Sequence, residues 1–420
     1  MSHIEDRWWK DVPDPTTRSG KRREKKAGFG QGKRYRVRWI GPGGTEESES
    51  FPDGQKKAAE SFQKEIDISL LAGTYVHHRI GEMLFSEHID EWLKGRSADP
   101  VSRDKVKGSV SKHIVPFFVK KYATVAAACT EAGVKDWLAW LSRRGLELSY
   151  QAQLYVMLTS IMEAATRARM VPENPCKSKS ITPPRPTQNK LIPWAPDRAH
   201  TIWTHLPPRQ KIAVPLGVGC GLRIGEISGL SPTDFRRRER VVDIQRQVRW
   251  IPGGGLVFSP PKGGKSRVVP VGKSVFDEVD EYMELFEPVV VTLPWRTLDG
   301  RPERVELLMV RSSGLAYYQK AFTGAGWDTA FKRAKLTKRL KVDGPHALRH
   351  LYASTLLEQG VSINDLAEYL GHHNPSVTLK YYAHMMPSSH HRARGAADVA
   401  MRAIQLGRPV DLDEDSDDAE

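Results

Sequence analysis

Five short stretches of this chain hold the residue types that phosphate chemistry needs. Pro345-His346-Ala347-Leu348-Arg349-His350 is followed, after an apolar run, by Leu370-Gly371-His372 and then by Lys380-Tyr381-Tyr382-Ala383-His384. Upstream lie Gly221-Leu222-Arg223-Ile224-Gly225-Glu226 and a basic segment, Pro261-Lys262-Gly263-Gly264-Lys265-Ser266-Arg267. A phosphodiester resists attack because its anionic oxygens repel a nucleophile, and its transition state gathers still more charge, so fixed cations are the first requirement. Arg223 and Arg349 supply planar forks that grip two nonbridging oxygens at once, which lysine cannot imitate. His346 follows Pro345 at an expected helix start, shares a face with Arg349 and His350, and can accept or give a proton near neutral pH. A tyrosine, with a reference pKa of about 10, turns nucleophilic once cations and a base stabilise its phenolate. Tyr381 and Tyr382 are both candidates, and because successive helical residues point about 100° apart, one phosphate cannot be faced by both.

Plainer readings stand beside these. Arg223 could simply pair with Glu226. His346 and His350 have the spacing of a helical metal pair, but no glutamate stands between them in the H-E-x-x-H manner and nearby arginines repel a cation, so no metal is expected.

In their order along the chain the five stretches resemble the tyrosine recombinase (phage integrase) family, with motifs spanning about 190–395 and a looser likeness of domain layout before that. The resemblance implies the remaining roles. Lys262, in the turn of an expected hairpin between strands near 257–258 and 267–271, would protonate the leaving 5′ oxygen, with Lys265 as alternate. His372 would hydrogen-bond the scissile phosphate, and Glu226 would support Arg223. Tyr382-Ala383-His384 fits the nucleophile's surroundings, which leaves Tyr381 to pack in the core. The implied reaction is cofactor-free transesterification through a 3′-phosphotyrosine, run by a homotetramer on double-stranded DNA at core and arm attachment sites. An excision factor and a host DNA-bending protein would be further partners. The function expected is a site-specific integrase that inserts and excises a phage or other mobile element in the cytoplasm of a bacterial host. The rivals are a type IB topoisomerase-like enzyme and a DNA-binding protein that does not cut.

Composition agrees with a nucleic-acid partner. Among 420 residues, 64 are Lys or Arg and 50 are Asp or Glu, a net charge of +14. Seven of those acids crowd the segment 411–420, leaving the rest near +21. Such a body attracts polyanions by releasing their counterions. No apolar stretch approaches the roughly 18–20 residues of a membrane span, and the basic start lacks a signal-peptide core. Cys129, Cys176 and Cys220 are odd in number and widely spaced, a pattern of reduced thiols.

The elements that must position the site read as a multidomain α+β chain. Residues 1–32, rich in Lys, Arg, Gly and Pro, are expected to be a disordered basic arm. Residues 33–75 form a small sheet backed by a helix, with Arg34, Arg36 and Arg38 alternating against apolar neighbours as a face for arm-site DNA or a merely solvated one. An all-α core-binding domain is expected over 80–175, from helices near 84–93, 105–118, 134–141 and 149–170. Leu154, Leu158, Ile161, Ala165 and Ala168 make its core stripe, and Lys107 and Lys112 lie on its cationic edge. A proline-rich linker spans 176–189. A mainly α catalytic domain with a small β-sheet fills 190–400, carrying Lys265 and Arg267 as further DNA contacts, and an acidic disordered tail closes 401–420.

Overall fold

The computed structural model describes residues 2–42, 44–73, 75, 82–96, 99–186, 191–340, 342–385 and 390–406. They fall into two compact units, Met1–Thr187 and Gln188–Glu420.

The first unit opens with β1 (His3–Asp6), the hairpin strands β2 (Trp9–Pro13) and β3 (Lys21–Lys25), then β4 (Tyr35–Ile40), β5 (Glu46–Phe51) and α1 (Lys56–Leu71). The alternation in β4 does what it predicts: Tyr35, Val37 and Trp39 are buried, and Arg36 and Arg38 occupy the other face. This strand is central, antiparallel to β1 on one side and β5 on the other. Ala59, Phe62, Ile66 and Leu70 of α1 close over the apolar face.

The expected disordered arm is corrected here. Its residues supply β1 and the β2–β3 hairpin. Asp6 organises them, accepting from the amides of Trp8 (3.1 Å) and Trp9 (3.2 Å), from Arg23 (2.8 Å) and from Arg34 (3.0 Å). Trp8 and Trp9 pack on Phe29. A composition dominated by basic residues hides this order, because scattered carboxylates and aromatics match those charges only after the strands pair.

Helices α2 (Phe85–Lys94), α3 (Pro100–His113), α4 (Val115–Lys121), α5 (Val125–Ala128), α6 (Glu131–Arg143) and α7 (Leu148–Arg167) build an all-α core. One expected helix over 105–118 is two, divided at Ile114, because Pro116 is tolerated only in a first turn. Leu154, Leu158, Ile161 and Ala165 are buried as the stripe requires, whereas Ala168 is exposed. The expected linker begins too early. Cys176 and Ile181 belong to the helical core, and Asn174 ties the segment back to α7 through Thr159 O (3.0 Å) and Glu163 (2.8 Å).

The second unit runs α8 (Pro196–His205), α9 (Ala213–Cys220), α10 (Ile224–Ile227), β6 (Phe235–Arg236), β7 (Val241–Ile244), β8 (Gln247–Ile251), β9 (Gly255–Ser259), β10 (Arg267–Pro270) and α11 (Lys273–Leu285). There follow β11 (Val289–Pro294), β12 (Pro302–Leu307), α12 (Gln319–Phe322), α13 (Asp328–Arg333), α14 (His346–Glu358), α15 (Ile363–Leu370), α16 (Pro375–Tyr382) and α17 (His390–Leu406). The anticipated hairpin around Lys262 does not form: β9 pairs with β8 and β10 pairs with β7. Phe258 serves one apolar cluster and Val269 another, and Pro260-Pro261 interrupts the pairing edge between them.

At the centre α9 packs on α14, where a Cβ on Gly217 would lie 2.8 Å from the Leu348 side chain. The first six residues of the expected acidic tail continue α17, and 407–420 lie outside the described residues. Among the described residues no helix is long and apolar enough to cross a membrane.

Candidate active site

Two glycine-terminated helices prepare a seat for a buried cation. Helix α9 ends at Gly221 (φ +63°) and α15 at Gly371 (φ +62°), both left-handed caps that leave helix-end carbonyls unpaired within their own helices. Arg349, 1% exposed, fills the gap: it donates to Gly221 O (2.7 Å), to Leu370 O and to His372 Nε2 (3.2 Å). Burial presses its pKa downward and Arg223 adds to this, while Glu226 opposes it.

Glu226 is the counter-charge. Fully buried on α10, it accepts from Arg267 Nη1 (3.0 Å) and Nη2 (2.8 Å), from Arg223 Nη1 (2.9 Å) and from the Arg223 amide (2.9 Å). Burial alone would raise its carboxyl, but the Arg267 bonds and the charges of Arg267, Arg223 and Arg349 hold it at about 2. Arg223 keeps part of its side chain exposed (20%), so it is more open than Arg349.

Histidines and tyrosines line a cavity of about 250 Å³, bounded by Leu191, His346, His350, His372, Tyr381 and Tyr382. His372 Nδ1 meets Thr378 Oγ1 at 2.7 Å. With Nε2 accepting from Arg349, the Nδ1 proton must point to Thr378, which fixes a neutral tautomer. Burial first, then Arg349, Arg223, Arg267 and His350, push this ring down to about 4. The His346 and His350 rings meet edge to face at 4.8 Å, and both are pushed down by desolvation with Arg349 contributing. His350 Nδ1 lies 2.6 Å from Tyr382 Oη. Tyr382 is 2% exposed, and burial lifts its pKa to about 12 against the pull of Arg349 and Arg223. At rest it is a phenol.

The family model described as the phage integrase family matches residues 195–388, the span that holds every residue of this site except Leu191. The chain carries a domain of the phage integrase family. It is a tyrosine recombinase. Tyrosine recombinase XerA of Thermococcus kodakarensis is 26% identical over 268 residues, 63% of this chain and 81% of that protein. A putative prophage phiRv2 integrase of Mycobacterium tuberculosis is 23% identical over 380 residues, 87% of this chain and 93% of that protein. The Tn1549 transposon integrase, solved with transposon right end DNA, shares the fold with a TM-score of 0.63 at 17% identity, covering 76% of this chain and all of that one.

Within the recombinase, the structure brings Arg223, His346, Arg349, His372 and Tyr382 together. Lys262 and Lys265 stand exposed on the loop between β9 and β10. Two assignments are corrected. Arg267, expected as a DNA contact, is buried and committed to Glu226 and to Tyr369 O (2.7 Å), because β10 directs it inward beneath Gly371. Tyr381, expected in the core, is half exposed, and it is Tyr382 that packs inside. The lack of a side chain at Gly219 and Gly221 makes room for Val275 and Tyr352. In the sequence His350 stands as a neighbour of His346 and Arg349 on one helical face, with the spacing of a metal pair toward His346. Its spacing from Tyr382 gives no sequence signal, since the contact joins α14 to α16.

Proposed function

We propose that this recombinase is a site-specific integrase of a mobile element, cutting and rejoining DNA through a 3′-phosphotyrosine on Tyr382. Arg223 and Arg349 grip the scissile phosphate, His372 leaves Arg349 and takes the tautomer in which Thr378 donates to Nδ1 and Nε2–H donates to a phosphate oxygen, His346 handles protons beside them, and Lys262 protonates the leaving 5′ oxygen. The partner duplex's 5′ hydroxyl then attacks, and the ester keeps the bond energy, so ligation calls for neither metal nor ATP. Each chain offers one such tyrosine and exchange between two duplexes breaks four strands, hence four protomers. Lys107 and Lys112, exposed on α3, with Arg36, Arg38 and Lys265, supply phosphate contacts; Arg34, paired with Asp6 and Asp53, supports the sheet more than it is free to bind. An excision factor and a host bending protein remain compatible partners.

The observation that carries this reading is the gathering of Tyr382 and three histidines around one cavity, with the buried Arg349 bonded to one of those histidines. The test incubates the full chain with nicked duplexes tiled across the DNA flanking its own coding sequence, in EDTA and without ATP. The expected result is an SDS-resistant protein–DNA adduct, made by the wild type and by Tyr381→Phe and lost in Tyr382→Phe. A wild type that binds one duplex specifically and never forms the adduct would overturn the reading in favour of DNA binding alone.

A further inference from the structure

We propose that His350 is the base that takes the hydroxyl proton of Tyr382 as the tyrosine attacks phosphorus, an inference that rests on the nucleophile assigned above. Sequence reasoning gave proton handling to His346. Among the described contacts, however, the nitrogen that meets the hydroxyl is His350 Nδ1, at 2.6 Å. That distance is within direct transfer range for a general base. The Tyr382 ring is 2% exposed, so bulk water has little access to collect the proton.

Helix α14 places the two histidines one turn apart, and their edge-to-face contact at 4.8 Å braces the His350 ring against rotation. A phenol can donate only to an unprotonated nitrogen, so the base role places the resting ring proton on Nε2. Burial and the nearby Arg349 charge favour this neutral ring before DNA arrives. The incoming phosphate carries the opposite charge, and its approach raises the basicity of His350 at the moment the proton must move.

The step balances. The Oη–P bond forms as the P–O5′ bond breaks, the Oη proton passes to His350 Nδ1 to give an imidazolium, and the 5′ oxygen receives its proton from Lys262. On ligation the attacking 5′ hydroxyl gives its proton to the now neutral Lys262 and displaces the phenolate, and the imidazolium returns its proton to Tyr382 Oη.

The experiment measures single-turnover adduct formation between pH 6 and 9 on the nicked duplex that serves the wild type. His350→Ala is expected to be slower by about 100-fold near pH 7, with a rate that climbs about tenfold per pH unit because only ionised phenol then reacts. His350→Asn can still accept the hydroxyl's hydrogen bond but cannot titrate, and it should show the same steep profile. Replacing the bridging 5′ oxygen with sulfur gives a leaving group that needs no proton, so it should rescue Lys262→Ala and leave His350→Ala slow. His350→Asn at wild-type rate with a wild-type profile would overturn the base and leave the nucleophile standing, as would rescue of His350→Ala by sulfur. A wild type without adduct on DNA that it binds would instead remove the functional reading and this inference together.

Discussion

Arg267 and Glu226 form a two-point ion pair in the interior of the catalytic domain, with nitrogen–oxygen distances of 3.0 and 2.8 Å. Glu226 is wholly buried and also faces Arg223 and the buried Arg349. Removing one partner of such a pair strands the other charge without water. Glu226→Gln is therefore expected to destabilise the domain by about 3–5 kcal/mol. Arg267→Lys, which keeps the charge and loses the fork, should cost less. Urea unfolding of both variants checks the order.

The same pair sets part of the acid sensitivity. The Glu226 carboxyl is held at about 2, below its unfolded value, so its stabilisation is complete above roughly pH 4.5 and disappears as pH falls toward 2. His350 and His372, lowered to about 4, also have folded values below unfolded ones; their stabilisation is full above about pH 6.5 and is lost on acidification toward 4. All three slopes share one sign. The urea midpoint should hold from pH 8 to 7, start to fall near 6.5, and fall faster below 4.5. In His372→Asn the decline between pH 6.5 and 4 should be shallower, by about 1 kcal/mol after allowing for the ring's partial exposure.

Gly221 meets two demands that an ordinary side chain cannot. Its φ of +63° is left-handed, and a Cβ there would lie 2.4 Å from the Tyr352 ring. Its carbonyl also holds Arg349. Gly221→Ala should lose about 3 kcal/mol or more through strain and clash together, and should depress adduct formation because Arg349 moves with the carbonyl. Gly371→Ala meets the Arg267 side chain at 3.0 Å, a softer contact, and is expected to lose less. Thermal melts and adduct yield on the same duplex rank the two.

What the sequence disclosed followed from how local each signal is. Arg223, His346, Arg349, His372 and Tyr382 were legible because their types and order along the chain name the chemistry, and the β4 alternation because side-chain direction repeats every two residues. The partner of β9 was not legible, since pairing depends on which apolar cluster claims each strand, and that is decided over long separations. Arg267 was misplaced for the same reason: a basic loop is ordinarily a surface, and only the fold reveals Glu226 behind it. Tyr381 and Tyr382 exchanged environments because a helical angle tells that two residues diverge, not which of them meets the core. The ordered start of the chain was not legible because Asp6 gathers its charged partners, Arg23 and Arg34, from 17 and 28 residues away.

Asp343 shows how far from the reacting atoms positioning extends. It lies three residues before His346, is 0% exposed, and accepts from Trp194 Nε1 (2.8 Å), Arg198 Nη2 (2.7 Å), the Arg339 amide (2.8 Å) and Arg339 Nη2 (2.9 Å). Its own carbonyl receives Trp327 Nε1 at 2.8 Å, and the Trp194 and Trp327 rings stack 5.7 Å apart. These bonds anchor the segment that launches α14, and with it His346, Arg349 and His350. An amide at this place would turn an N–H toward donors that need an acceptor, so Asp343→Asn is expected to destabilise by about 2–3 kcal/mol. Because Asp343 lies outside the cavity, DNA affinity should stay within a few-fold of wild type. Adduct formation should slow by about tenfold to a hundredfold, the effect of a small displacement of α14 from its reactive placement. A gel-shift titration beside single-turnover adduct kinetics separates these effects; equal losses in binding and chemistry would mean that the anchor holds the domain together without aiming the helix.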